Sequence, residues 1–219
     1  MATRLYFHYG DPAPVDVSAI IPDAAWEDAA SVTYHAMSVT KRGKAMTTVN
    51  VAYTGDGTND DVAVFCFVSP PLSAAYSLDT TNFDPTTVIR CAESNLASNS
   101  FLRVDAYIVP RAGTSIIEVD GGTDSVEMAT SLTVRGHGMP WDPLYTTAIG
   151  DRIALVVGFR KSSASSYTQS FSVGDDAVSD LTNDDADTGA DNPYVELVGD
   201  YVFLSESNPN QLMLMGVGV

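Results

Sequence analysis

Lysine is scarce in this sequence: 3 Lys and 8 Arg stand against 22 Asp and 6 Glu, for a net charge of −17 over 219 residues. So acidic a surface repels phosphate backbones and anionic lipid headgroups, which excludes nucleic acid and membrane surfaces as natural partners. Long apolar runs are missing too. None approaches the ~18 residues that a membrane-spanning helix needs, and the opening MATRLYFHYGD lacks the apolar core of a signal peptide. The expectation is a chain made in a cytoplasm and staying soluble there, unless exported by an unusual route or released by lysis. Cysteine occurs twice, at Cys66 and Cys91, with no CxxC or HxxxH spacing to hold a structural metal. Both cysteines lie in strand-like runs, as buried thiols or as a disulfide between neighbouring strands. Histidine occurs three times, at His8, His35 and His137. No serine sits in a GxSxG elbow and no glycine-rich phosphate loop is present. A triad around His137, in the irregular GHGMPWDP, is conceivable but unsupported by spacing. The chain is therefore read as having no enzymatic activity.

What is abundant is the period-two pattern of β-strands. In IGDRIALVVGFRKSSASSYTQSFSVGD (149–175), Ile153, Leu155, Val157 and Phe159 share one face, and Tyr167, Phe171 and Val173 alternate with polar residues. The small polar KSSASS between them reads as the turn of a β-hairpin. Further strands are predicted at RLYFH, SVTYHAMSV, 45–53, DVAVFCFV, TTVIRCA, FLRVDAYIV, 115–119, 125–134 and PYVELVGDYVFL, the last bulged at Gly199. One short helical turn is predicted near Asp23, with Trp26 tucked under the sheet. ESNLASNS reads as a polar loop. About eleven strands and at most one short helix predict an all-β chain: an antiparallel, jelly-roll-like β-sandwich. Residues 1–219 suit a single domain of that class, with an apolar extension at 208–219.

Four groups of residues could bind something. Asp184, Asp185, Asp187 and Asp191 lie in a loop with seven aspartates (175–192), whose mutual repulsion a hard cation such as Ca²⁺ would relieve. The EF-hand pattern is absent there. Asp56, Asn59, Asp60 and Asp61 form a weaker cluster of the same kind. Trp141 and Tyr145, near turns, could stack on a sugar ring. The C-terminal QLMLMGVGV offers Leu212, Met213, Leu214 and Met215 as a docking peptide. No cofactor other than Ca²⁺ is implied.

Five segments taken together, ATRLYF, FVSPPL, RCAESNLASNSFLRV, GDRIALVVGFRKSSASSYTQSFSVGD and NPYVEL, are similar in order and spacing to a widespread family of tailed-phage proteins of about 200 residues. The resemblance spans nearly the whole chain. It implies a virion-associated β-sandwich and carries over no catalytic residue. The function expected is a structural protein of a tailed-virus particle, chiefly a capsid decoration protein, oligomeric and touching the major capsid protein. The alternative is a receptor- or glycan-binding module of a tail fibre or spike. The chain departs from the family in its acidity and in its C-terminal extension.

Overall fold

Alternation of large apolar and small polar residues places one face of each strand in a shared interior, and the strands assemble accordingly. The computed structural model describes residues 2–22, 25–29, 31–78, 85–113, 115–120, 124–139 and 145–205. In chain order the strands are β1 (Thr3–Pro12), β2 (Thr33–Ser38), β3 (Thr47–Thr54), β4 (Asp60–Val68), β5 (Ser77–Leu78), β6 (Thr86–Glu93), β7 (Ser100–Val109), β8 (Ile117–Asp120), β9 (Asp124–Glu127), β10 (Thr133–Gly138), β11 (Tyr145–Thr146), β12 (Arg152–Lys161), β13 (Ser166–Val173) and β14 (Tyr194–Leu197). Twelve form one sheet that folds over on itself; β5 and β11 make a small second sheet. The protein is all-β, consistent with a β-sandwich.

One layer contains β3, β13, β6, β10 and β14, and the other contains β2, β4, β12 and β7, with β8 and β9 along its edge. Strand β1 joins them: Thr3 to Tyr6 pair with β14, and Tyr6 to His8 pair with β2. All pairings are antiparallel except β2 with β4. Between the layers, Phe7 stacks on Phe67 at 4.4 Å, and Phe171 meets the edge of Phe65 at 5.9 Å. Phe7, Phe65, Phe67, Phe159 and Phe171 are fully buried, each contributing about 1.5–3 kcal/mol of transfer free energy.

Strand β12 is buried on both faces. Ile153, Leu155, Val157 and Phe159 enter the interlayer core. Ala154 and Val156 instead join Cys66, Val68 and Tyr107 under Val17, Ile21 and Trp26. The proline-rich N-terminal connection is therefore a cover for the outer face of the second layer.

Four expectations are corrected. The segment 149–175 is not a hairpin: β12 pairs with β4 and β7, whereas β13 pairs with β3 and β6. KSSASS crosses between layers, and the buried Lys161 ammonium holds the crossing by donating to the carbonyls of Ser163 and Ser165. No helix forms over 25–29, where Trp26 is buried and Asp28 bridges to Val62; residues 23 and 24 lie outside the described residues. The helical turn is instead Leu96–Ser98, capped by Asn95, inside the predicted polar loop. Strand β14 ends at Leu197, before Gly199 at φ +125°. Of the two readings of the cysteines, the buried thiols hold: Cys66 and Cys91 are free and buried, in clusters on different faces; burial pushes the Cys91 thiol up to about 12.

Candidate functional site

Tyr6 of β1 lies opposite Ser38 of β2, and His8 lies opposite Ala36. His8 and Ser38 are thus diagonal neighbours on one face, close enough for their side chains to meet. His8 Nε2 lies 2.8 Å from Ser38 Oγ, and His8 Nδ1 lies 2.8 Å from Asp175 Oδ2. Asp175 follows β13 through Gly174, at φ +137°. A Cβ at Gly174 would come within 2.7 Å of the Ala45 carbonyl oxygen, so only glycine lets the chain pass this close. There Asp175 accepts from the backbone N–H groups of Arg42 and Lys44.

Burial is the largest influence on His8 and lowers its pKa; Asp175 opposes this and Arg42 adds to it. Ser38 Oγ also lies 3.0 Å from the Thr40 carbonyl oxygen and 3.4 Å from the Thr40 backbone nitrogen. Ser38 forms part of the wall of a groove of about 560 Å³, together with Thr40, Arg42, Pro70, Phe203 and Leu204. His137, the triad candidate in the sequence, is not part of this cluster. Its members stand at positions 8, 38 and 175, and only the strand pairing brings them together.

The acidic loop has a different task. Val134 N–H donates to the Asp187 carbonyl, Gly136 N–H to Asp185 Oδ1, and the Arg135 guanidinium to the Asp185 carbonyl. The loop thus lies along β10 and occupies its outer edge. Asp184 accepts from Ala186 N–H, and Asp187 from Thr182 and Gly189. The four candidate carboxylates do not assemble as a cation site. No group of three or more potential ligands could hold a metal among the described residues. In the second cluster, Asp56 accepts from Thr58, Asp60 from Asp56 N–H, and Asp61 pairs with Arg103 and Arg160. Tyr145 begins β11 and packs its half-buried ring against the core. Trp141 and Leu212, Met213, Leu214 and Met215 lie outside the described residues.

The edges of the sheet differ sharply. The β10 edge is covered by the acidic loop. Along β8 and β9 stand Glu118, Asp124 and Glu127. The β3 edge, TTVNVAYT, carries neither charge nor proline, and β13 is its one strand partner among the described residues.

No family model and no curated protein matches the chain. Among solved structures it is similar to an α-amino acid ester hydrolase (12% identity, 90% of this chain and 36% of that one, TM-score 0.48). It is similar also to a structure of infectious bursal disease virus Gx strain (13% identity, 95% and 53% coverage, TM-score 0.27). A CocE/NonD family hydrolase from Staphylococcus aureus is a third (8% identity, 91% and 34% coverage, TM-score 0.28). The chain spans between about a third and about half of these proteins' length. The expectation that the chain is no enzyme is corrected here: hydrolases stand among its structural neighbours, and that reading is withdrawn. At these identities no substrate or residue role transfers.

Proposed function

We propose that the chain is a structural protein of a tailed-virus particle, a capsid decoration protein whose copies join through the β3 edge. The bare β3 edge is the observation that carries this reading. Natural sheets protect exposed edges with charge, proline or a covering loop. Here β10 is covered and β8 and β9 are charged, while an eight-residue β-prone strand is left plain. An unprotected edge of that kind is a template for pairing with another strand. The partner is a second copy. With the two-fold axis at Asn50, Val49 faces the partner's Val51 on the inner side, and Thr48 faces the partner's Ala52 on the outer side. The register is self-complementary and both inner faces stay continuous, as an isologous interface requires.

The resemblance to phage virion proteins supports the same reading. Its longest segments fall on framework strands: RCAESNLASNSFLRV on β6 and β7, and GDRIALVVGFRK on β12. The experiment is quantitative mass spectrometry of purified particles, comparing this chain with the major shell protein. A copy ratio between several tenths and one is expected. A ratio of a few per cent would move the chain to the tail and favour the glycan-binding alternative. Absence from particles would overturn the virion reading.

A further inference from the structure

We propose that Ser38, His8 and Asp175 form a hydrolytic site that cleaves small esters with apolar acyl groups seated in the groove beside Ser38. Three features of the geometry support it. The Asp175–His8 and His8–Ser38 contacts are both 2.8 Å, and they use opposite ring nitrogens. This is the order in which a carboxylate orients an imidazole and the imidazole takes a serine proton. All three residues are held by framework: His8 in β1, Ser38 at the end of β2, and Asp175 by two backbone N–H donors. Ser38 is 7% exposed and is one of the residues that line the groove.

Two proton arrangements fit the His8 contacts, and only the first also keeps the Ser38 hydroxyl bond to the Thr40 carbonyl. With an imidazolium at His8, Nδ1–H donates to Asp175, Nε2–H donates to Ser38 Oγ, and the Ser38 hydroxyl donates to the Thr40 carbonyl. That arrangement is a structural clamp. With a neutral imidazole, Nδ1–H donates to Asp175 and the Ser38 hydroxyl donates to Nε2, which activates the oxygen as a nucleophile. Burial of His8 favours the neutral form.

The chemistry balances with water as the co-reactant. Ser38 Oγ attacks the ester carbonyl carbon as its proton passes to His8 Nε2. The negative charge then develops on the former carbonyl oxygen of the ester, while the Thr40 backbone N–H lies 3.4 Å from Ser38 Oγ itself. Collapse breaks the bond to the alcohol, which leaves with the proton from Nε2, and Ser38 is acylated. Water then gives a proton to Nε2 and its oxygen to the acyl carbon, and the acid leaves as Ser38 recovers its proton. Pro70, Phe203 and Leu204 make the groove wall apolar, which suits a short acyl chain.

The test uses the full chain with a fluorophosphonate probe and with p-nitrophenyl butyrate. A single adduct mapping to Ser38 is expected, together with ester turnover that Ser38→Ala lowers at least about 100-fold. Labelling of the unsubstituted protein needs no variant to fold, and circular dichroism checks that Ser38→Ala keeps its strands. An unmodified Ser38, turnover unchanged in Ser38→Ala, or a Ser38 adduct without turnover would each overturn the proposal. Its outcome is independent of whether the chain is found in particles.

Discussion

Three buried histidines should make this protein less stable in mild acid. His8 is enclosed with Asp175, with Arg42 and Asp11 nearby; His35 accepts from Gly10 N–H through Nδ1; His137 lies on β10 with Asp124 as its charged neighbour. Burial is the first cause in each case, and each pKa is lowered. The sign follows directly. Below the ordinary histidine value of about 6.5 the unfolded chain takes up protons that the folded chain refuses, so stability is present above that value and lost as pH falls through it. Thermal unfolding should show a Tm that is flat above about pH 7 and falls from pH 7 to 5, by about 2–4 °C per kcal/mol lost. A Tm independent of pH over that range would contradict the neutral assignment. At Gly158 an added Cβ would meet the Val62 carbonyl oxygen at 2.0 Å and Trp26 at 2.8 Å, whereas at Gly138 the nearest atom is 3.9 Å away. Denaturant unfolding should find Gly158→Ala destabilising by about 1–3 kcal/mol or more and Gly138→Ala nearly neutral. In the sequence the two glycines look alike, because what crowds Gly158 is the backbone of β4 at Val62 and the ring of Trp26, both far away along the chain.

Strands were legible in the sequence and their partners were not. Period-two alternation in 149–175 places Ile153, Leu155, Val157 and Phe159 on one face, and they do fill the interlayer core. The same alternation is silent on which strand lies beside which. A short polar connection suits a layer crossing as well as a hairpin, and the buried Lys161 decides for the crossing here. The acidic loop misled for a related reason: its carboxylates suggested a cation, while its backbone and Asp185 side chain satisfy the edge of β10. Edge chemistry is also where an element-scale prediction belongs. Thr48 and Ala52 are exposed on β3, and the register centred on Asn50 places each opposite the other across the two-fold axis. Thr48→Lys with Ala52→Lys would set two pairs of like charges face to face, which destabilises strand pairing. Sedimentation velocity should find the unsubstituted chain dimeric and the double variant monomeric, with Tm changed by no more than a few degrees. A monomeric unsubstituted chain would remove β3 as the joining edge.

Across the whole molecule, 28 acidic residues face 11 basic ones, and several of the basic groups are already engaged. Arg103 and Arg160 close on Asp61 beneath Trp26, Arg4 and Lys41 on Asp180, and Arg42 and Lys44 on Asp11. What remains outside is a predominantly negative surface that opposes compaction and opposes the approach of a second copy. Salt shortens the reach of both repulsions, from a Debye length of about 30 Å at 0.01 M to about 3 Å at 1 M. The β3 edge has no charge of its own, so screening costs its pairing nothing while removing the repulsion between the bodies behind it. Raising NaCl from about 0.01 to 1 M should therefore raise the Tm and tighten self-association in the same series, whereas an interface built on ion pairs would loosen. Sodium chloride rather than sulfate is the right salt, because sulfate strengthens apolar burial by exclusion from the surface. Sedimentation equilibrium across that range separates the cases. Association that strengthens with salt fits an uncharged edge between two acidic bodies, and association that weakens would place the contact on the charged face instead.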